Sequence, residues 1–162
     1  MPTLEEYKKI ADLLYPNINK TIADYLKIYP ERNLPQGAEV TRFAPSPTGY
    51  MHIGGVYQCL VDRQIAKTSG GVMILRNEDT DSKREVEGAA NIFVPALKKF
   101  GIEFDEGFVQ ENLPDKGAYG PYTQSKRKEI YQAFAKELVS KGLAYPCFCS
   151  EADEESKKEQ LR

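Results

Sequence analysis

Residues 42–55 constrain the fold of this chain more than any other segment. They read RFAPSPTGYMHIGG: a short apolar strand that breaks at Pro45 and Pro47, turns at Gly49 and presents the chain's single histidine, His52, before two glycines. A helical pattern follows at once. A strand that leads through a glycine-rich turn into a helix forms an anion site, because unpaired backbone N–H groups and the helix dipole point outward there. The segment therefore predicts a site for a phosphate compound.

The composition limits the class of protein. With 162 residues, 41% of them apolar and 28% charged, the chain is long enough for one globular domain with appendages. No apolar run reaches membrane-spanning length, and the N-terminus has no signal-peptide pattern, so no membrane partner is expected. Three cysteines do not make a secreted disulfide framework, which favours the cytoplasm. A net charge of −2 argues against a basic surface that grips nucleic acid as a whole, although it allows a local basic strip.

The hydrophobic pattern predicts alternating helices and strands. Helical spacing is present at residues 4–14, 21–29, 56–67, 83–100 and 125–141, and strands are predicted at 40–44 and 72–76. The run 72–76 is almost entirely apolar, so this strand should be buried on both faces. Alternation of this kind indicates an α/β fold, a Rossmann-like parallel sheet with flanking helices, that binds ligands at the carboxyl ends of its strands.

A second cluster of polar residues follows the strand at 72–76. The sequence RNEDTD at residues 76–81 contains three carboxylates and a threonine. Taken alone, such a cluster is more often a helix cap or a cation site. At the end of a neighbouring parallel strand, however, Glu78 should face the turn that holds Ser46 and His52, with Arg42 nearby. A carboxylate and a guanidinium in one crevice suit a zwitterionic substrate.

Three ordered motifs identify a family. The segments PSPTGYMHIGG (45–55), RNEDTD (76–81) and YTQSKR (122–127) closely resemble the class I glutamyl-tRNA synthetases. His52-Ile-Gly-Gly55 is similar to that family's form of the "HIGH" signature. The resemblance covers roughly residues 38–150. It implies a helical N-terminal extension at 1–37, the first half of a Rossmann-like catalytic core at 38–145, and the start of an inserted acceptor-binding subdomain at 146–162.

The resemblance also implies a two-step reaction: ATP activates L-glutamate as glutamyl-adenylate, and the glutamyl group then passes to the 3′ end of tRNA. His52 is the implied catalytic residue, ATP with Mg²⁺ is the implied nucleotide, and ATP, L-glutamate and tRNA are the implied partners. The implied contacts with ATP come from Pro45, Thr48, His52, Gly54 and Gly55, and those with glutamate from Arg42, Ala44, Ser46 and Glu78.

Some features depart from the family pattern. Asn77 stands where the family usually has an apolar residue, so its amide should find hydrogen bonds or tilt the loop. Lys126 replaces an acidic residue on a turn that should be exposed. Cys147 and Cys149 could form half of a zinc site, as in some members, but no second pair of cysteine or histidine ligands follows, so the zinc-free interpretation is favoured.

The resemblance leaves several alternatives open. The family's lysine-rich "KMSKS" loop and anticodon-binding domain are not in these 162 residues, so a fragment with little activity of its own is expected. Glutaminyl-tRNA synthetase shares the scaffold but normally has aspartate and asparagine where this chain has Glu78 and Asp81. A tRNA-modifying paralogue that activates glutamate, or a non-catalytic module that binds nucleotide or tRNA, would carry similar motifs.

Overall fold

The computed structural model describes residues 2–150, 153, 157 and 158. Its elements, in chain order, are the helices and strands α1 (Leu4–Leu14), α2 (Ile22–Ile28), β1 (Val40–Phe43), α3 (Ile53–Ser69), β2 (Val72–Leu75), α4 (Ala89–Lys98), β3 (Glu106–Gly107) and α5 (Lys128–Ser140), with a 3₁₀ turn at Gln124–Arg127 before α5. The predicted helices at 4–14 and 21–29 and both predicted strands are confirmed to within one residue at each end.

The three strands form one parallel sheet in the order β1–β2–β3. Val40 lies opposite Val72, and Phe43 lies opposite Leu75, so β1 and β2 end at the same level. Parallel strands need helical crossovers, and α3 and α4 supply them. The predicted fold class, a Rossmann-like parallel sheet with flanking helices, is confirmed.

The core lies between the sheet and the helices α3 and α4. Its buried members include Phe43, Met73, Leu75, Val56, Cys59, Ala66, Ala90, Phe93, Leu97 and Ile102. Each fully buried large apolar side chain stabilises the fold by about 1.5–3 kcal/mol. Because β1, β2 and the two crossover helices all contribute to this cluster, the core fixes the carboxyl ends of β1 and β2 relative to the start of α3.

The prediction that β2 is buried on both faces was wrong. Met73 and Leu75 are fully buried, whereas Val72 and Ile74 are only half-buried in the part of the chain that the structure describes. Because all four residues are apolar, the sequence does not show which face of the strand is less buried. The strand β3 was not predicted, because two residues, one of them glycine, carry no periodic signal.

The predicted helix at 83–100 begins too early, because α4 starts only at Ala89. Gly88 has φ 74°, a left-handed conformation that interrupts a helix. The N–H of Val86 donates to the carbonyl of Pro47 at 2.8 Å instead of to the preceding helical turn. This tertiary hydrogen bond therefore holds residues 83–88 in turns beside residues 42–55.

Inter-residue contacts divide the chain into two compact units. One contains the residues up to Ile22 and those from Gln132 onward. In it Thr3 and Glu6 cap α1 reciprocally, and Lys136 Nζ lies 2.8 Å from Asp12 Oδ1. Near the C-terminus, the N–H of Ser150 donates to Asp153 Oδ2 at 2.8 Å. Most of the expected start of the inserted subdomain, at 146–162, lies outside the described residues.

The other unit, Ala23–Tyr131, contains the whole sheet, α3, α4 and the strand ends. The domain boundaries at 37/38 and 145/146 stay a prediction. Across the described residues, the longest helices are too short or too polar to span a bilayer.

Gly71 sets the entry into β2 and gives the first stability prediction. A β-carbon there would lie 1.8 Å from the carbonyl oxygen of Glu39, which accepts the N–H of Val72 at 3.1 Å. We expect Gly71→Ala to lower the free energy of unfolding by about 2 kcal/mol or more, because backbone must move. Urea unfolding measures the change. Gly49→Ala, with open space at its β-carbon, is the matched control, and an equal effect of the two would contradict the packing argument.

Candidate active site

Backbone hydrogen bonds extend the pairing of β1 and β2 past the strand ends. The N–H of Arg76 donates to the carbonyl of Phe43 at 3.0 Å, and the N–H of Glu78 donates to the carbonyl of Pro45 at 3.0 Å. The loop that carries the carboxylates therefore lies directly against the loop that carries the prolines. This is the juxtaposition that the parallel sheet predicted.

One cleft of about 880 Å³ opens at these strand ends. All nine predicted site residues line it: Arg42, Ala44, Pro45, Ser46, Thr48, His52, Gly54, Gly55 and Glu78. The structure thus brings the imidazole, the guanidinium and the carboxylate around one space. The role of each residue stays a prediction.

The start of α3 forms one wall of the cleft. His52 is the N-cap residue, with extended backbone, and its exposed side chain makes no capping hydrogen bond. The amide N–H groups of Ile53 and Gly54 come first in the helix and have no intrahelical acceptor. Together with the positive end of the helix dipole, they make this wall suitable for an anion.

Gly54 allows the imidazole of His52 to lie over the helix start. A β-carbon at Gly54 would come within 3.0 Å of His52 Cε1 and 3.1 Å of His52 Nδ1. At Gly55 a β-carbon would come within 2.8 Å of Met51 Sδ. The two glycines therefore make room for neighbouring side chains as well as exposing backbone.

The charged groups of the cleft are not all paired. The guanidinium of Arg42 is exposed and has no carboxylate within 4 Å among the described residues. The carboxylate of Glu78 is bound through Oε1 by Arg76 Nη2. No described residue donates to Glu78 Oε2, so this oxygen is free to accept a ligand N–H.

Sequence reasoning missed several residues of the site. Arg76 belongs to the predicted motif, but its ion pair with Glu78 was not foreseen, because two residues on a loop carry no fixed geometry. Gln58 also lines the cleft. It lies four residues after Gly54 on α3, so helical spacing could have placed it on the same face.

Asn77 was expected to find hydrogen bonds for its amide or to tilt the loop, and the structure pairs its backbone but not its side-chain oxygen. Its N–H donates to the carbonyl of Tyr122 at 2.9 Å, and its carbonyl accepts from the N–H of Gln124 at 2.9 Å. The side chain is 4% exposed, and its Oδ1 has no donor among the described residues. Burial of an unpaired amide oxygen is costly, so this side chain lowers the stability of the fold around the loop that carries Glu78.

The cysteine pair belongs to the other compact unit and is not in the lining of this cleft. Cys147 and Cys149 are free and exposed, and Lys157 Nζ lies 3.2 Å from Cys149 Sγ. In the part of the chain that the structure describes, no cluster of three or more histidine, cysteine or acidic side chains could hold a metal ion. The zinc-free interpretation stays a prediction.

Comparison with known proteins identifies the family. A family model described as "tRNA synthetases class I (E and Q), catalytic domain" matches residues 39–162. The chain belongs to this family. The match begins one residue before β1 and includes every residue of the cleft.

Individual relatives agree with the family match. A glutamate–tRNA ligase of Acetivibrio thermocellus is 52% identical over 158 residues, which are 96% of this chain and 29% of the relative. A glutamate–tRNA ligase of Clostridium perfringens is 51% identical over 154 residues, 95% of this chain and 28% of the relative. This family member therefore spans a little over a quarter of the relatives' length.

A solved structure supports the fold. The glutamate tRNA ligase from Elizabethkingia meningosepticum, crystallised in complex with its amino acid, matches with a TM-score of 0.65 and 36% identity. The match covers 77% of this chain and 24% of that one.

Gly54→Ala should displace the imidazole of His52, because the new methyl group would press on the ring. His52 is the only histidine, so its ring resonances in NMR spectra report the change without ambiguity. We expect clear shifts of those resonances with little loss of stability, since alanine favours a helix more than glycine does. In Gly49→Ala, which lines the same cleft with open space around it, the resonances should stay in place. Equal shifts in both variants would refute the contact.

Asn77→Leu should stabilise the protein by about 1 kcal/mol, because it replaces a buried amide whose oxygen has no donor with an apolar group of similar size. Thermal unfolding measures the change. Asn91→Leu is the matched control and should destabilise, since Asn91 exchanges two hydrogen bonds of 2.8 Å with Glu111. A loss of stability in Asn77→Leu as large as that of the control would contradict the interpretation.

Proposed function

We propose that this chain is the part of a glutamate–tRNA ligase that binds ATP and L-glutamate and activates the glutamate. The observation that carries the proposal is the cleft at the ends of β1 and β2. It presents an unpaired guanidinium, a carboxylate with one free oxygen and an imidazole at a helix start. The relatives named above add support.

The charges of the cleft fit the two ends of glutamate. Arg42 would bind the side-chain carboxylate, and Glu78 would accept a hydrogen bond from the α-ammonium group through Oε2. Ala44 and Ser46, between them on the cleft wall, would hold the backbone of the substrate. A guanidinium that faces a neutral amide lacks its charge partner, so glutamate should bind better than glutamine.

The start of α3 suits the phosphates of ATP. Pro45, Thr48, Gly54 and Gly55 would shape the wall against which the nucleotide lies. The α-carboxylate of glutamate attacks the α-phosphorus; a phosphorus–oxygen bond forms, and pyrophosphate leaves with the electron pair of the broken bond. His52 would donate a hydrogen bond to the phosphate oxygens as negative charge develops. A preorganised donor of this kind is typically worth about 3 kcal/mol of barrier.

No covalent bond to the protein is needed, so the cleft acts by orientation and charge stabilisation. Mg²⁺ would enter as the counter-ion of ATP. Glu78 is the only carboxylate among the described residues of the cleft lining, so we assign the metal to the substrate rather than to a protein site.

The same proposal includes the transfer of the glutamyl group to tRNA and the cellular compartment of the reaction. The terminal ribose hydroxyl of tRNA would attack the glutamyl-adenylate at its carbonyl carbon, releasing AMP. We assign this chemistry to the cytoplasm, where ATP, glutamate and tRNA are all present.

The direct test is calorimetric titration of the 162-residue chain with sulfamoyl analogues of glutamyl-adenylate and glutaminyl-adenylate. We expect the wild type to prefer the glutamyl analogue by about tenfold or more, because one charged hydrogen-bonded pair is worth about 1.5–3 kcal/mol. Arg42→Leu should abolish the preference while the glutaminyl analogue still binds.

Arg63→Leu is the control, because Arg63 pairs with Asp105 outside the cleft. It should keep the full preference. A wild type that binds neither analogue would contradict glutamate activation at this cleft. A preference for the glutaminyl analogue would favour the glutamine-specific branch of the family instead.

A further inference from the structure

Arg32 lies in the segment before β1, outside the region that the family model matches. Its guanidinium forms a two-point ion pair with Glu106 of β3: Nη1 binds Oε1, and Nη2 binds Oε2 at 2.9 Å. The two side chains are only 17% and 15% exposed. A bidentate pair with this little solvent contact holds its geometry more firmly than a surface ion pair.

Residues 29–32, here called the strap, also contact residues 119–120, in the loop that precedes the third motif (122–127). The guanidinium carbon of Arg32 lies 3.8 Å from the ring centroid of Tyr119. Tyr119 donates its hydroxyl to the carbonyl of Pro30 at 2.9 Å, and Tyr29 donates its own to the carbonyl of Gly120 at 2.7 Å. The strap and this loop therefore hold each other in place.

From Glu106 the contacts lead to the cleft. Tyr122 donates its hydroxyl to Glu106 Oε2 at 2.6 Å. The carbonyl of the same tyrosine accepts the N–H of Asn77 at 2.9 Å. Asn77 directly precedes Glu78, so a displacement of Tyr122 moves the backbone that carries the cleft carboxylate.

We propose that Arg32 is a positioning residue: through these contacts it sets where Glu78 stands in the cleft. The inference rests on the function proposed above, in which Glu78 binds the α-ammonium group of glutamate. Arg32 itself is not in the lining of the cleft.

The electrostatics explain why the arginine matters. Hydrogen bonding to Arg32 lowers the pKa of Glu106, and the same bond raises the pKa of Arg32. Burial, together with the hydrogen bond to Glu106, raises the pKa of Tyr122 to about 12, so the hydroxyl stays a donor. Without Arg32, a largely buried carboxylate would lose its cation, and Tyr122 would have to follow its rearrangement.

The first test compares amide hydrogen exchange in the wild type, Arg32→Ala and Arg32→Lys. In the alanine variant we expect the N–H groups of Asn77 and Gln124 to exchange at least about tenfold faster, because the loop opens locally. Lysine keeps the charge but loses the two-point geometry, so its effect should be intermediate.

Arg63→Ala is the matched control. It removes an arginine from another partly buried ion pair, in which Nη1 lies 2.6 Å from Asp105 Oδ2, but it does not touch Tyr122. It should leave the two amides unchanged. Unchanged exchange in Arg32→Ala would overturn the proposal.

The second test separates positioning from a general loss of stability. The ligands are the sulfamoyl analogue of glutamyl-adenylate and its counterpart without the α-amino group. Arg32→Ala should reduce the preference for the amino-bearing analogue about tenfold and leave the affinity for its counterpart unchanged. An equal loss for both ligands would show only a structural role and overturn the proposal.

The two tests also separate this proposal from the proposed function. If the wild type binds neither analogue, the proposed function fails, and with it the role of Glu78, whereas faster amide exchange in Arg32→Ala would still show that the strap holds the loop. If Arg32→Ala does not fold, Arg32→Lys carries both comparisons, with a smaller expected change.

Discussion

The parallel pairing of β1 with β2 is the constraint on which the site depends. Phe43 lies opposite Leu75, so both strands end at one level, and two further backbone hydrogen bonds, from Arg76 to Phe43 and from Glu78 to Pro45, continue the pairing. A slip of one residue would turn the side chains of one strand to the other face of the sheet. Gly71 and the buried core hold this register, and the positions of Arg42 and Glu78 follow from it.

The cleft combines two kinds of electrostatic feature that depend on different elements. The start of α3 provides backbone N–H groups and the helix dipole, which favour phosphate. The strand ends provide side-chain charges of both signs, which favour an amino acid. Because α3 begins directly after the loop that follows β1, one short segment connects the two features, and a substrate that carries both chemistries can span them.

Much of this arrangement was predictable from the sequence, because residues 42–55 follow several local rules of strand and helix formation. Two prolines end the strand, glycines open the helix start, and an apolar run marks the neighbouring strand, and these rules predicted one crevice for the side chains of Arg42, Ser46, His52 and Glu78. The resemblance to the synthetases implied the other five residues, and all nine line one cleft. The start of α4 was not predictable, since a hydrogen bond from Val86 to the distant Pro47 competes with the helix. The ion pairs of Arg76 with Glu78 and of Arg32 with Glu106 were not predictable either. The first depends on loop geometry, and the second joins residues 74 positions apart.

The central claim is that one cleft receives glutamate and the phosphate of its adenylate together. A crystal structure of the chain with the sulfamoyl analogue of glutamyl-adenylate tests this most directly. The account predicts the side-chain carboxylate within about 3 Å of the Arg42 guanidinium, the ammonium within about 3 Å of Glu78 Oε2, and the sulfamoyl group at the start of α3. A ligand bound elsewhere, or bound in the cleft with its carboxylate away from Arg42, would contradict it.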